Sequence, residues 1–227
     1  MSTVVLLGSL GSTSEMWDSQ LPVLGGRSVV RLDHPGHGDE PVREVHDIGD
    51  LAAQVIEQVE GTFSFIGLSL GGAVGMHIAL HAPDRLEKLV VASTAMRFGE
   101  PEQWIARAAT VRAEGMGSVV DAVLGRWFTP AFPDVAAYRS MMLSIDAEGY
   151  ARCCEALSRW DVRDELGAIR TPTLAIAGTD DPTTPPDVVE LIAQAIPGAR
   201  FDVLGPGGHI INVERAPEFN HLLEEFL

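Results

Sequence analysis

The feature that most constrains this chain is a serine set among glycines, Gly67-Leu68-Ser69-Leu70-Gly71-Gly72. It follows the apolar run Phe63-Ser64-Phe65-Ile66 and precedes a second apolar run that ends near His81. A strand, a sharp corner and a helix packed this closely leave room only for residues without side chains around the turn. The corner residue is then held clear of the sheet in a strained conformation, which suits an exposed nucleophile. A bare G-x-S-x-G match is weak, and a chance glycine-rich turn is the plain alternative. The strand before the motif and the helix after it make Ser69 the candidate nucleophile.

The rest of the chain repeats this rhythm. Short β-rich runs at 4–7, 29–32, 63–67, 89–92, 173–177 and 201–204 alternate with helical patterns at 15–24, 48–60, 70–81, 186–196 and 216–226. This alternation predicts an α/β fold with a mostly parallel sheet of about six strands, each buried on both faces. The rhythm breaks between 98 and 166, where helical patterns continue but no strand is evident. Three of the four tryptophans fall there, at Trp104, Trp127 and Trp160. The expected organisation is a core of residues 1–97 and 167–227, with 98–166 as a helical cap over the C-terminal edge of the sheet, where open α/β sheets bind ligands. A length of 227 residues suits one such core.

Charge narrows the partners. The chain carries 16 basic and 32 acidic residues, for a net charge of −16. That field argues against nucleic acid and anionic membranes, and against anionic substrates unless local arginines reverse it. No apolar run is long enough to predict a membrane span. The start, Met1-Ser2-Thr3-Val4-Val5-Leu6-Leu7-Gly8, lacks the basic opening of a signal peptide and reads as an immediate strand. Cys153 and Cys154 are adjacent, which disfavours a mutual disulfide and points to a reducing compartment, the cytoplasm. No metal or cofactor motif stands in its required setting, so none is expected.

A serine hydroxyl needs a base, and the base needs an orienting acid. After the expected strand at 173–177 come Gly178-Thr179-Asp180-Asp181-Pro182, which offer Asp180 or Asp181 as the acid. After the last expected strand, Gly205-Pro206-Gly207-Gly208-His209 places a histidine in a glycine-rich loop ahead of the C-terminal helix. His209 is the expected base, following the order serine, acid, histidine. His34 and His37 flank a turn and read as structural. His46 reads as a loop residue, and His77, His81 and His221 as helix residues. Donors for a developing oxyanion are expected from the Leu70 N–H and from the loop at Gly8-Ser9-Leu10-Gly11-Ser12.

Over nearly its whole length the chain resembles the 3-oxoadipate enol-lactonases (β-ketoadipate enol-lactone hydrolases) of the α/β-hydrolase superfamily. General pieces are Ser9-Leu10-Gly11, Met16-Trp17-Asp18 with Gln20, the Ser69 corner, His81-Ala82-Pro83-Asp84-Arg85-Leu86, the segment 177–186, and His209-Ile210-Ile211-Asn212-Val213-Glu214. More specific are Arg126-Trp127-Phe128-Thr129-Pro130 and Gly149-Tyr150-Ala151-Arg152-Cys153-Cys154. The resemblance implies Asp181 rather than Asp180 as the acid, and the Leu10 N–H as the second oxyanion donor. It implies a small lactone or ester substrate bearing a carboxymethyl group, opened through an acyl-enzyme in aromatic-compound degradation. Such a carboxylate needs a cation, with Arg126 the first candidate and Arg97 and Arg163 behind it. Trp127 and Trp160 are candidate pocket walls. Two departures stand out: Leu70 replaces a frequent Met, and relatives carry an N-terminal hairpin not present here, which leaves the strand at 29–32 as an expected open edge. A broad carboxylesterase or a C–C-bond hydrolase on the same residues is the alternative. A non-catalytic ligand receptor of the same fold is a third reading.

Overall fold

The computed structural model describes residues 2–227. Six strands run β1 Thr3–Leu7, β2 Ser28–Leu32, β3 Phe63–Leu68, β4 Leu86–Ala92, β5 Thr173–Gly178 and β6 Arg200–Leu204. They form one sheet in the order β2-β1-β3-β4-β5-β6, and every pairing is parallel. Their C-terminal ends therefore share one edge, and the loops leaving that edge hold Ser69, Asp181 and His209.

The helices are α1 Ile48–Gln58, α2 Leu70–His81, α3 Pro101–Glu114, α4 Val120–Trp127, α5 Val135–Leu143, α6 Ala147–Ser158, α7 Pro186–Ala195, α8 Ile211–Glu214 and α9 Ala216–Phe226. Helix α2 packs on β3 and β4, with apolar residues on all sides, as a central buried helix requires. The α/β architecture anticipated from the alternating pattern is present, as a six-stranded parallel sheet with helices.

Two expectations need correction. The strands are not all buried on both faces: β2 and β6 are the sheet edges, and most of their residues keep solvent contact. The pattern at 15–24 forms a 3-10 helix over Ser14–Gln20 rather than an α-helix. Pro22 has no N–H to continue a helix, and Trp17 and Gln20, three residues apart, are both buried as a three-residue turn places them. Gln20 and Asn212 bond each other, Gln20 Nε2 to the Asn212 carbonyl at 2.9 Å and Asn212 Nδ2 to Gln20 Oε1 at 3.0 Å. This ties the 3-10 segment to α8. No helix among the described residues is long and apolar enough to cross a membrane.

The loop after β1 is set by two buried histidines. His34 Nε2–H donates to the Gly8 carbonyl at 2.9 Å, and His37 Nε2 accepts from the Gly11 N–H at 3.1 Å. His37 Nδ1–H donates to the Pro35 carbonyl at 3.0 Å, which fixes the neutral tautomer. A proton on His37 Nε2 would face the Gly11 N–H. Burial, then the neighbouring His37, pushes His34 down to about 3; burial pushes His37 down to about 4.

Helices α3 to α6 lie between β4 and β5, and a hydrogen-bonded seam fastens them to the loop after β6. His209 N donates to the Arg126 carbonyl at 3.4 Å, and Ile210 N to the Trp127 carbonyl at 3.0 Å. The half-buried Glu214 carboxylate closes the seam from below. It accepts from Gly208 N at 2.8 Å, from Thr129 N at 3.1 Å and from the Thr129 hydroxyl.

Glu214→Ala strands two amides without an acceptor, so unfolding free energy should fall by about 2 kcal/mol. Urea denaturation that finds no change would count against the seam. The histidine pair predicts a pH dependence. Both folded-state values lie below the unfolded 6.5, so the contribution is complete above that pH and fades as pH drops toward about 4 and about 3. Each histidine should cost roughly 1.4 kcal/mol of stability per pH unit in that window. Unfolding curves of wild type and His37→Gln between neutral pH and pH 5 should show a shallower slope in the variant.

Candidate active site

Ser69 occupies the corner between β3 and α2 with φ 57° and ψ −112°, a left-handed conformation rare for a non-glycine residue. The turn is clamped from both ends. Ser69 N donates to the Ala92 carbonyl at 2.9 Å, and the Ser69 carbonyl accepts the Thr94 hydroxyl at 2.7 Å. The flanking glycines are needed for close approach. A Cβ on Gly67 would lie 2.2 Å from the Gly71 carbonyl oxygen, and one on Gly71 2.1 Å from that of Leu7. Gly71 N donates to the Gly8 carbonyl at 3.1 Å, which locks the first turn of α2 to the loop after β1. Among the described residues, the amides of Leu10 and Leu70 donate to no acceptor in the chain.

Of the two candidate acids, the geometry brings Asp181 to the histidine. Asp181 Oδ2 lies 2.8 Å from His209 Nδ1, and both side chains are buried. Asp180 is exposed and turned elsewhere, accepting from the Thr179 hydroxyl at 2.6 Å and from Gly207 N at 3.0 Å. Asp181 Oδ1 accepts from Thr183 N at 2.8 Å and Thr184 N at 3.1 Å, while the Thr184 hydroxyl donates to Oδ2 at 2.6 Å. Burial alone would raise the Asp181 carboxyl. The charge and hydrogen bond of His209 and the Thr184 donors together outweigh it and hold Asp181 below the ordinary carboxylate value.

Ser69, His209 and Leu10 line a cavity of about 200 Å³ between the sheet edge and the overlying helices. Trp127 and Arg126 from α4 form part of its roof, with Val123 and Leu157 supplying apolar wall. The other expected residues fall elsewhere. Trp160 is outside the lining; its indole N–H donates to the Ala95 carbonyl at 3.0 Å, and the ring packs beside His77. Arg97 pairs with Glu100 at 2.9 Å, and Arg163 pairs with Asp161 at 2.6 Å on the exposed surface, so neither faces the cavity. Cys153 and Cys154 are buried free thiols, and burial pushes both upward, away from thiolate chemistry.

Several contributors carried little signal in the sequence. Thr184, which braces Asp181, sits three residues after it in a turn where side-chain bonds to nearby amides are common. Arg107 and Tyr150 line the cavity from α3 and α6, and their helical spacing alone does not separate them from surface and core positions. Arg126 is half-buried and its guanidinium is held below its ordinary value, by burial first and then by Arg107.

Comparison with known proteins agrees with this architecture. The family model described as "Alpha/beta hydrolase family" matches residues 4–222. The chain is 36% identical to 3-oxoadipate enol-lactonase 2 of Acinetobacter baylyi, over 97% of this chain and 86% of that protein. It is 31% identical to 3-oxoadipate enol-lactonase 1 of the same organism, over 99% of this chain and 88% of that one. The crystal structure of the enol-lactonase from Burkholderia xenovorans LB400 superposes with a TM-score of 0.95 at 37% identity, covering 99% of this chain and 90% of that one. A serine held in a strained strand-to-helix corner, facing a cavity shared with a carboxylate-braced histidine, thus sits within a fold and sequence match of full length: the chain belongs to the α/β hydrolase family and is an ester-cleaving hydrolase of it.

Proposed function

We propose that this hydrolase opens 3-oxoadipate enol-lactone to 3-oxoadipate, a step of protocatechuate and catechol degradation, by way of an acyl-enzyme on Ser69. The observation that carries the reading is the small cavity lined together by Ser69, the Asp181-braced His209 and Arg126. The full-length similarity to enol-lactonases supports it.

In this scheme Ser69 Oγ attacks the lactone carbonyl while His209 accepts its proton. Asp181 holds the imidazole tautomer that presents Nε2 to the serine, and stabilises the imidazolium that forms. The free amides of Leu10 and Leu70 receive the oxyanion. Collapse of the tetrahedral intermediate breaks the ring C–O bond and expels an enolate oxygen. The enolate takes up the proton that His209 removed from Ser69 and ketonises, which leaves His209 neutral. Water, deprotonated by His209, then attacks the acyl carbonyl and regenerates Ser69. Arg126 pairs with the carboxylate of the carboxymethyl arm, and Trp127 walls the ring. The buried thiols of Cys153 and Cys154 suit a reducing compartment such as the cytoplasm.

Ser69→Ala should lower kcat by about 10⁴-fold or more, followed as loss of enol-lactone absorbance. Full activity in that variant would end the scheme, as would the absence of fluorophosphonate labelling of the wild type. Arg126→Ala should raise KM for the lactone by about tenfold with a smaller change in kcat. An unchanged KM would remove Arg126 from the site. A panel with p-nitrophenyl esters and dienoate ring-cleavage products separates the lactonase reading from a broad carboxylesterase or a C–C-bond hydrolase.

A further inference from the structure

The cavity roof holds a second guanidinium that the scheme above does not use. Arg107 projects from α3 and lines the same cavity as Arg126 and Ser69. Its guanidinium carbon sits 4.6 Å from the centroid of the Trp104 ring, one helical turn earlier, and the buried Tyr150 lines the same cavity. Stacking on an indole restricts the guanidinium before any ligand arrives.

The pair stands in an acidic chain. Acidic residues outnumber basic ones 32 to 16, and several arginines on the helices around the cavity find carboxylates. Arg112 pairs with Glu148 and Glu155, Arg152 with Glu148 and Glu44, and Arg139 with Asp121. Among the described residues, neither Arg107 nor Arg126 has a carboxylate within ion-pair distance, although each is half-buried. Two like charges near each other, both partly desolvated and without counter-ions, oppose folding unless something else requires them. Burial, then the neighbouring Arg107, holds the Arg126 guanidinium below its ordinary value. An anion in the cavity relieves both.

We propose that Arg107 and Arg126 together form an anion subsite for a carboxylate carried on the acyl portion of the substrate, with Arg107 a specificity-determining residue that selects acidic acyl donors over neutral ones. The inference rests on Ser69 as the acylated residue. The ligand class is a short ester or lactone with a free carboxylate a few bonds from the reacting carbonyl; the matching inhibitors are short dicarboxylates such as succinate. Arg107 supplies a charge-assisted contact that a neutral substrate cannot use, and a neutral substrate leaves two half-buried guanidiniums unmatched.

The test compares two chromogenic esters on the full chain, p-nitrophenyl acetate and mono-p-nitrophenyl succinate. Wild type should favour the succinate ester in kcat/KM. In Arg107→Met that preference ratio should fall roughly 10- to 100-fold, mainly through KM, and Arg107→Lys should recover part of it. A ratio that survives while both activities drop together makes Arg107 a folding residue and overturns the proposal, as does a ratio unchanged at full activity. Unsubstituted protein gives a second measurement that needs no variant. Succinate should inhibit acetate-ester hydrolysis competitively and succinamide should not; equal inhibition by both, or by neither, overturns the subsite. The two levels of the argument fail differently. Wild type that is neither active on any ester nor labelled by a fluorophosphonate refutes the Ser69 reading, whereas an active enzyme without preference for the acidic ester refutes only the subsite.

Discussion

Ser69 is held at a positive φ, and the remaining architecture exists around that constraint. The strain is tolerable because the corner is tied on every side: to β4 through Ala92, to the segment after β4 through Thr94, and to the loop after β1 through Gly71 and Gly8. These ties require β1, β3 and β4 to be neighbours in one parallel sheet, which is the observed order. They also require glycine at positions 67 and 71, where any side chain would collide with backbone. One strained residue therefore propagates demands on strand order, on helix placement and on the loop that carries the Leu10 amide.

Much of this was legible in the residues themselves. The buried runs of β1, β3, β4 and β5 are short, apolar and punctuated by glycine, so their existence and order along the chain are plain. Their neighbours across the sheet are not: the open edge at β2 was expected only from the resemblance, and β6 reads as a buried strand although it is an edge, because exposure at an edge is set by which strands pair, not by local composition. Ser69 and His209 are legible because glycine-rich loops mark where a sheet edge carries function. Asp180 and Asp181 are adjacent and chemically alike, and only the fold shows that Asp181 meets the imidazole while Asp180 binds the turn. The cap residues were the least legible. Trp127 and Trp160 are equivalent as apolar side chains in helical sequence, yet one lines the cavity and the other packs away from it. Arg107 carries no mark at all, because its significance lies in a carboxylate that is absent around it.

The electrostatics of the molecule work at two scales. Over the whole surface the excess of acid repels anions, while the charged side chains that line the cavity are the guanidiniums of Arg107 and Arg126. Screening by salt weakens the first field over about a Debye length, but the half-buried arginines feel it far less. The buried pair His34 and His37 follows the opposite logic: burial disfavours charge on both, and His37 must stay neutral to accept from the Gly11 N–H. Cation and neutral base thus coexist within a small volume because the cap supplies the first and the core supplies the second.

The seam at residues 126–129 and 207–210 has a consequence for how such an enzyme can diversify. The backbone carbonyl of Arg126 accepts from the amide of His209, so the roof and His209 are registered to each other through main-chain atoms alone. Side chains on α3, α5 and α6 can be exchanged without touching that registration. A chimera that exchanged side chains of α3, α5 and α6 and kept the seam with Glu214 would retain that registration and acquire a different appetite. The joint acts as the boundary of a transplantable cassette, which separates the evolution of what is recognised from that of what is done to it.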